Sequence, residues 1–189
     1  MRDPNFKLQN MKTKSILSTA LLLFGLLIIS CNRNSSQSSC CADSGTTKAI
    51  ADVVLKDYGA EPTVLDIDAY TISNDNFRTA LWTGTFLQVT LMSIPVGGEV
   101  GLEQHPGTDQ FLRIEDGQAN VLMGDSKESL TFNKMAEKDF AIFVPAGKWH
   151  NIINTGDTPL KLYSIYSPVE HPHGTIHKTF EEAEEAEHH

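Results

Sequence analysis

The sequence predicts an all-β domain, a sandwich or barrel of short strands. Three observations carry this. Short segments rich in β-branched, aromatic and other apolar residues recur at similar spacing from Phe77 to Ser164. Turn signals separate them: Pro95-Val96-Gly97-Gly98, Asp116-Gly117, Gly124-Asp125, Pro145-Ala146-Gly147 and Gly156-Asp157. A helical reading fits only the two ends of this region.

Taken in order, Phe77–Thr83 (FRTALWT) and Phe86–Ile94 (FLQVTLMSI) are predicted strands. Val100–His105 alternates apolar and polar residues. Phe111–Glu115 and Ala119–Met123 flank Asp116-Gly117, a strong hairpin signal. Leu130–Phe132, Phe140–Val144, Asn151–Asn154 and Leu160–Ser164 complete the series. Thr47–Asp57 is a predicted helix entering the domain. Thr179–Glu187 is a second, and its acidic run reads as a solvated face. No internal repeat exceeds a single hairpin.

The chain has 189 residues, a formal net charge of −9 and 40% hydrophobic residues, enough for one globular domain. Fifteen Lys and Arg against 24 Asp and Glu argue against a nucleic-acid partner, because phosphate binding needs clustered positive charge.

Ile16–Ile29 is apolar and follows Lys12 and Lys14. The run falls short of the ~20 residues that span a bilayer, so it reads as a secretory signal. It ends in Ile28-Ile29-Ser30-Cys31, which resembles the lipobox of bacterial lipoproteins. That resemblance implies cleavage before Cys31, lipid on its thiol and a place in the bacterial cell envelope. The alternative is an ordinary signal peptide that happens to precede a cysteine. Met11-Lys12-Thr13-Lys14 reads as a more natural start than Met1. Residues 1–30 carry Arg2, Lys7, Lys12, Lys14 and Asp3, so their removal leaves a net charge of −12. Anionic headgroups would repel such a protein, so its attachment would be covalent. Residues 31–47 form a Ser-rich flexible tether holding Cys40 and Cys41, whose role stays open. The folded domain spans 48–178, contains no cysteine, and is followed by an acidic tail over 179–189.

From Gly97 the chain reads GGEVGLEQHPGTDQFLRIEDG. This resembles the first motif of the cupin family. Gly97 takes the opening glycine, Glu103 the first His position, His105 the second His, Gln110 the Glu position and Gly117 the closing glycine. Asp139–Asn154 reads DFAIFVPAGKWHNIIN and resembles the second cupin motif. Pro145, Gly147, His150 and Asn154 match, with Asp139 in place of the opening glycine. The resemblance covers roughly 76–168. It implies a single cupin barrel (a double-stranded β-helix, or jelly roll), and the two predicted short helices stand at its N- and C-terminal ends. The nearest group is the small, single-domain, metal-binding bacterial cupins that are loosely described as mannose-6-phosphate-isomerase-like. Homodimers are also an expectation from the resemblance alone.

Strand alternation puts Glu103 and His105 on one face, which the resemblance turns into the barrel. Glu103, His105, Gln110 and His150 are therefore the candidate ligands of a divalent metal (zinc, iron, manganese or nickel). Two imidazoles and one carboxylate also form the donor set of non-haem Fe(II) sites. Glu103 doubles as a candidate catalytic base if it leaves the metal during turnover. Two function classes follow: a metal-dependent isomerase or dioxygenase acting on a small molecule, and a non-catalytic binder of a metal or small molecule. Tyr163, Tyr166, Gln88, Met92 and Phe111 are expected around the pocket. Trp149 is expected to point away, and Asn154 to order a turn. The group His171, His173 and His177 reads as an exposed loop, or alternatively as a lid supplying a ligand or a general acid. His188 and His189 read as solvated, or as the remnant of a tag.

Overall fold

The protein is described by a computed structural model over residues 52–187. Cys31, Cys40, Cys41, residues 47–51 of the expected first helix, and His188–His189 lie outside the described residues. Among the described residues, no helix is long and apolar enough to cross a membrane.

Helix α1 (Ile67–Ser73) precedes strands β1 (Arg78–Thr83), β2 (Gln88–Ile94), β3 (Glu103–Gln104), β4 (Asp109–Asp116) and β5 (Gln118–Gly124). Strands β6 (Phe132–Glu137), β7 (Ala141–Val144), β8 (Trp149–Asn154), β9 (Leu160–Ser167) and β10 (Ile176–His177) follow, and helix α2 (Phe180–Glu187) ends the described chain. The strands form two antiparallel sheets, one in the order β10-β1-β2-β9-β4-β7 and the other β3-β8-β5-β6. This is the all-β jelly-roll barrel that the resemblance implied.

Period-two alternation decides which side chains the barrel encloses. In β4, Gln110, Leu112 and Ile114 face in, while Phe111 and Arg113 face out. In β9, Leu162, Ser164 and Tyr166 face in, while Tyr163 and Ile165 face out. Of the inner residues, Gln110 and Ser164 bring polar atoms inside, while Leu112, Ile114 and Leu162 join Met92, Ile94, Val121, Ile152 and Leu160 in one apolar core. Each such side chain contributes roughly 1.5–3 kcal/mol on burial.

Three expectations are corrected here. Residues 52–57 are not helical. The Asp57 carboxylate instead accepts from Gly59 N in a local turn and from Thr83 Oγ1 and Gly174 N across the fold, bonds that a continuing helix would not leave room for. The N-terminal helix is α1, which Asp66 caps by accepting from Ala69 N. The strand expected at Leu130–Phe132 begins at Phe132 and runs through Asn133, Lys134, Met135 and Ala136 to Glu137, because pairing with β5 overrides its weak propensity. Finally, α2 is not wholly solvated. Ala183 is buried in the core, and Phe180 meets Phe77 edge-on with centroids 5.6 Å apart.

Asp139, standing where the cupin motif has glycine, adopts φ +71°. Its carboxylate accepts from Arg113 Nη2 at 2.6 Å. Asp139→Gly and Asp139→Ala both lose that bond, but only alanine retains the left-handed strain. Asp139→Gly is therefore expected to be more stable than Asp139→Ala by about 1 kcal/mol in denaturant unfolding. Equal stabilities would remove strain from the account of this position.

Candidate metal centre

The turn after β2 brings the first motif against β8. Gly98 N donates to Pro95 O, Val100 N donates to Ile152 O, and Glu99 bridges Ile153. The expected strand Val100–His105 shrinks to Glu103–Gln104, because Gly101 turns out of the ladder at φ +104° and donates its N–H to Asn151 Oδ1. Glu103 then stands directly opposite His150 in register. Gly147 N donates to His105 O, and Gln104 Nε2 donates to Gly147 O, so the two motifs are stitched together at the turn.

Glu103, His105 and His150 converge, each offering a donor atom within 4.8 Å of the others. Glu103 Oε1 lies 3.2 Å from Nε2 of His105 and 3.2 Å from Nε2 of His150. Ligands ~2.1 Å from one cation are about 3.0–3.4 Å apart at octahedral or tetrahedral angles, so these spacings suit a shared ion. The far ring nitrogens are both occupied. His150 Nδ1 donates to Lys148 O at 3.1 Å, and His105 Nδ1 donates to Glu170 Oε1 at 2.9 Å. A carbonyl or a carboxylate can only accept, so each Nδ1 carries the proton and each Nε2 is the atom turned toward Glu103. His150 is 0% exposed and His105 is 8% exposed. The group could hold a divalent metal.

Without an ion, charge fills the site. Burial alone would raise the Glu103 carboxyl, but the imidazoles of His105 and His150 against it hold it well below the usual carboxylate range. Burial opposes a charge on His105, yet the carboxylates of Glu103 and Glu170 outweigh it and push the imidazole up to about 9.

Gln110 is buried on the inner face of β4. Its Nε2 donates to Ser164 Oγ, while Oε1 has no hydrogen-bond partner. A free, buried amide oxygen suits the neutral fourth donor read from the sequence. Tyr166, Gln88 and Met92 are also buried inward. Phe111 and Tyr163 are not around the pocket. Strand register turns them outward, where Phe111 packs on Phe143 and Tyr163. Trp149 points away, with Lys127 Nζ over its ring at 4.5 Å. Asn154 orders the turn after β8, donating to Ile94 O, Pro95 O and Thr158 O and accepting from Gly156 N.

The expected exposed histidine loop divides into three environments. His173 is exposed, 3.6 Å from Asp57. His177 is half-buried in β10. His171 is buried, and its Nε2 has no partner. Burial and the charge of Arg78 push it down to about 3, so it is neutral at physiological pH. Gln88 accounts for this placement by donating to His171 O and accepting from His171 N, both at 2.9 Å. Glu170, missed by sequence reasoning, lies beside it. No local pattern marks Glu170; its only sequence signal is adjacency to the histidine group.

The family described as "Cupin domain" matches residues 90–166. The uncharacterized protein YrkC of Bacillus subtilis is 55% identical over 146 residues, covering 77% of this chain and 78% of that protein. An uncharacterized protein of Acanthamoeba polyphaga mimivirus is 39% identical over 114 residues, covering 60% of this chain and 69% of that one. The crystal structure of BH2720 from Bacillus halodurans superposes with a TM-score of 0.68 at 54% identity, covering 69% of this chain and 98% of that one. The domain match, this similarity and the jelly-roll barrel together establish that the chain belongs to the cupin superfamily.

Proposed function

We propose that this protein is a metal-dependent cupin that acts on a small molecule at the bacterial cell envelope, held there by lipid on Cys31. The observation that carries the reading is the shared aim of the two imidazoles. Both have Nδ1 engaged, and both turn Nε2 toward one carboxylate.

His105, His150 and Glu103 would hold the ion, with Gln110 as a neutral fourth donor. A bound divalent ion would supply Lewis-acid polarisation of a chelating substrate or, as iron, oxygen chemistry. Three strong protein donors leave coordination positions for that substrate. One carboxylate against a 2+ ion leaves net positive charge, which favours an anionic or enediolate-like ligand. Glu103 doubles as the candidate base only if it leaves the metal during turnover, which would free its carboxylate from the ion. Tyr166 meets His105 edge-on at 5.7 Å and keeps water from that side. Isomerisation and oxygenation both fit this donor set, and an envelope location disfavours phosphorylated cytosolic sugars. The second reading is a non-catalytic binder, favoured by the near-complete enclosure of the donor atoms.

Elemental analysis tests the proposal, on the full chain purified in detergent without chelator or metal-affinity resin. About one equivalent of iron, manganese or nickel, followed by oxygen uptake with chelating substrates, supports an oxygenase. Zinc points to an isomerase. Ligand-induced stabilisation without turnover selects the binder. No metal as purified, and none on titration, overturns the reading. The anchor predicts partition into the detergent phase, and partition into the aqueous phase removes it.

A further inference from the structure

The two imidazoles of the centre are held in unlike ways. His150 is aimed by backbone, since the Lys148 carbonyl that it bonds belongs to the turn leading into its own strand. His105 is aimed by a side chain distant in sequence: Glu170 Oε1 accepts from His105 Nδ1 at 2.9 Å. The other oxygen of Glu170 accepts from Thr108 Oγ1 at 2.9 Å, which fixes the carboxylate in its plane.

The strap that carries Glu170 is itself fixed. Gln88, inside the barrel, bonds the His171 backbone in both directions, and the Asp57 carboxylate accepts from Gly174 N. The Tyr166 ring stands edge-on to both His105 and His171, at 5.7 and 5.1 Å, so the strap and the ligand share one packed wall. Glu170 lies outside both motif segments.

We propose that Glu170 is a positioning residue of the metal centre: by accepting the Nδ1 proton of His105 it selects the tautomer that offers Nε2 to the ion and holds the ring at the angle shared with Glu103 and His150. A carboxylate on the far nitrogen also strengthens the imidazole as a donor, and loss of such a partner weakens metal binding by roughly 10–100-fold. The proposal rests on the metal-binding reading above.

The test compares the wild-type full chain with Glu170→Ala, Glu170→Gln and Thr108→Val. Zinc affinity is read by competition with a chromophoric chelator. Tautomer and bonding of His105 are read in the zinc-loaded proteins by long-range proton–nitrogen NMR. The wild type is expected to bind zinc and to show a downfield Nδ1 proton on His105. Glu170→Ala is expected to bind about 10–100-fold more weakly and to lose that resonance. Glu170→Gln, whose amide oxygen can accept the same proton, is expected to recover part of the affinity, and Thr108→Val to lose less than Glu170→Ala. A role confined to holding the strap would leave the Nδ1 resonance unmoved.

Glu170→Ala binding zinc as tightly as the wild type, or an unchanged Nδ1 resonance, overturns the role of Glu170 alone. A wild type that takes up no zinc or other divalent metal overturns the metal reading instead. Should Glu170→Ala fail to fold by circular dichroism, Glu170→Gln decides. An upfield shift of its Nδ1 proton supports the proposal, and an unchanged resonance overturns it.

Discussion

Replacing both imidazoles, as in His105→Ala/His150→Ala, is expected to abolish metal retention, and Glu103→Gln to weaken it by more than roughly 100-fold, beyond the usual cost of an outer-shell change. The two variants probe different properties. The double alanine removes both nitrogen donors but also opens a cavity, because His150 is fully enclosed and packs against His105 with ring centroids 5.4 Å apart. Glu103→Gln keeps the volume of the side chain and removes only its charge. The Glu103 carboxylate is the one anionic group within 4.8 Å of both Nε2 atoms in the described donor group, so its loss leaves a 2+ ion with neutral donors alone. Elemental analysis and chelator competition read both variants. A Glu103→Gln protein that binds metal as tightly as the wild type would show that the carboxylate is no ligand.

Metal affinity is expected to rise about 50-fold between pH 7 and pH 9 and to level off above pH 9. In the metal-free protein His105 stays protonated until about pH 9, because carboxylates flank both of its nitrogens. Ligation needs the neutral ring, so binding expels one proton, and below this value affinity climbs roughly tenfold per pH unit. Glu103 adds nothing to this slope, since its carboxyl is already ionised far below the window. Zinc competition at pH 7, 8 and 9 measures the slope, and calorimetry in two buffers counts the released proton. A flat profile would mean that His105 is neutral before the ion arrives, contrary to the charge arrangement described above.

Much of the candidate site was legible from the two cupin-like motifs. Glu103 and His105 stand two residues apart in an extended segment, and His150 follows the Pro145-Ala146-Gly147 turn. Those local relations survive folding, because the backbone of a strand leaves few alternatives. Phe111 and Tyr163 were placed wrongly because alternation gives two faces without saying which is enclosed, and in β4 and β9 the neighbours Gln110 and Tyr166 took the inside. The missed helix α1 rests on a single cap by Asp66, a weak signal beside Thr47–Asp57, whose Asp57 was needed for contacts with Thr83 and Gly174.

By itself, the sequence determined the all-β class, through period-two patterning and turn chemistry within short stretches, while the single barrel and the grouping of Glu103, His105 and His150 came from the resemblance of two segments to the cupin motifs. Only the tertiary structure decided what stands behind them. Glu170 reaches His105 across 65 positions of chain, and His171 is drawn inward by Gln88 across 83. Such pairings depend on how two sheets close around a common core, and no local pattern encodes them.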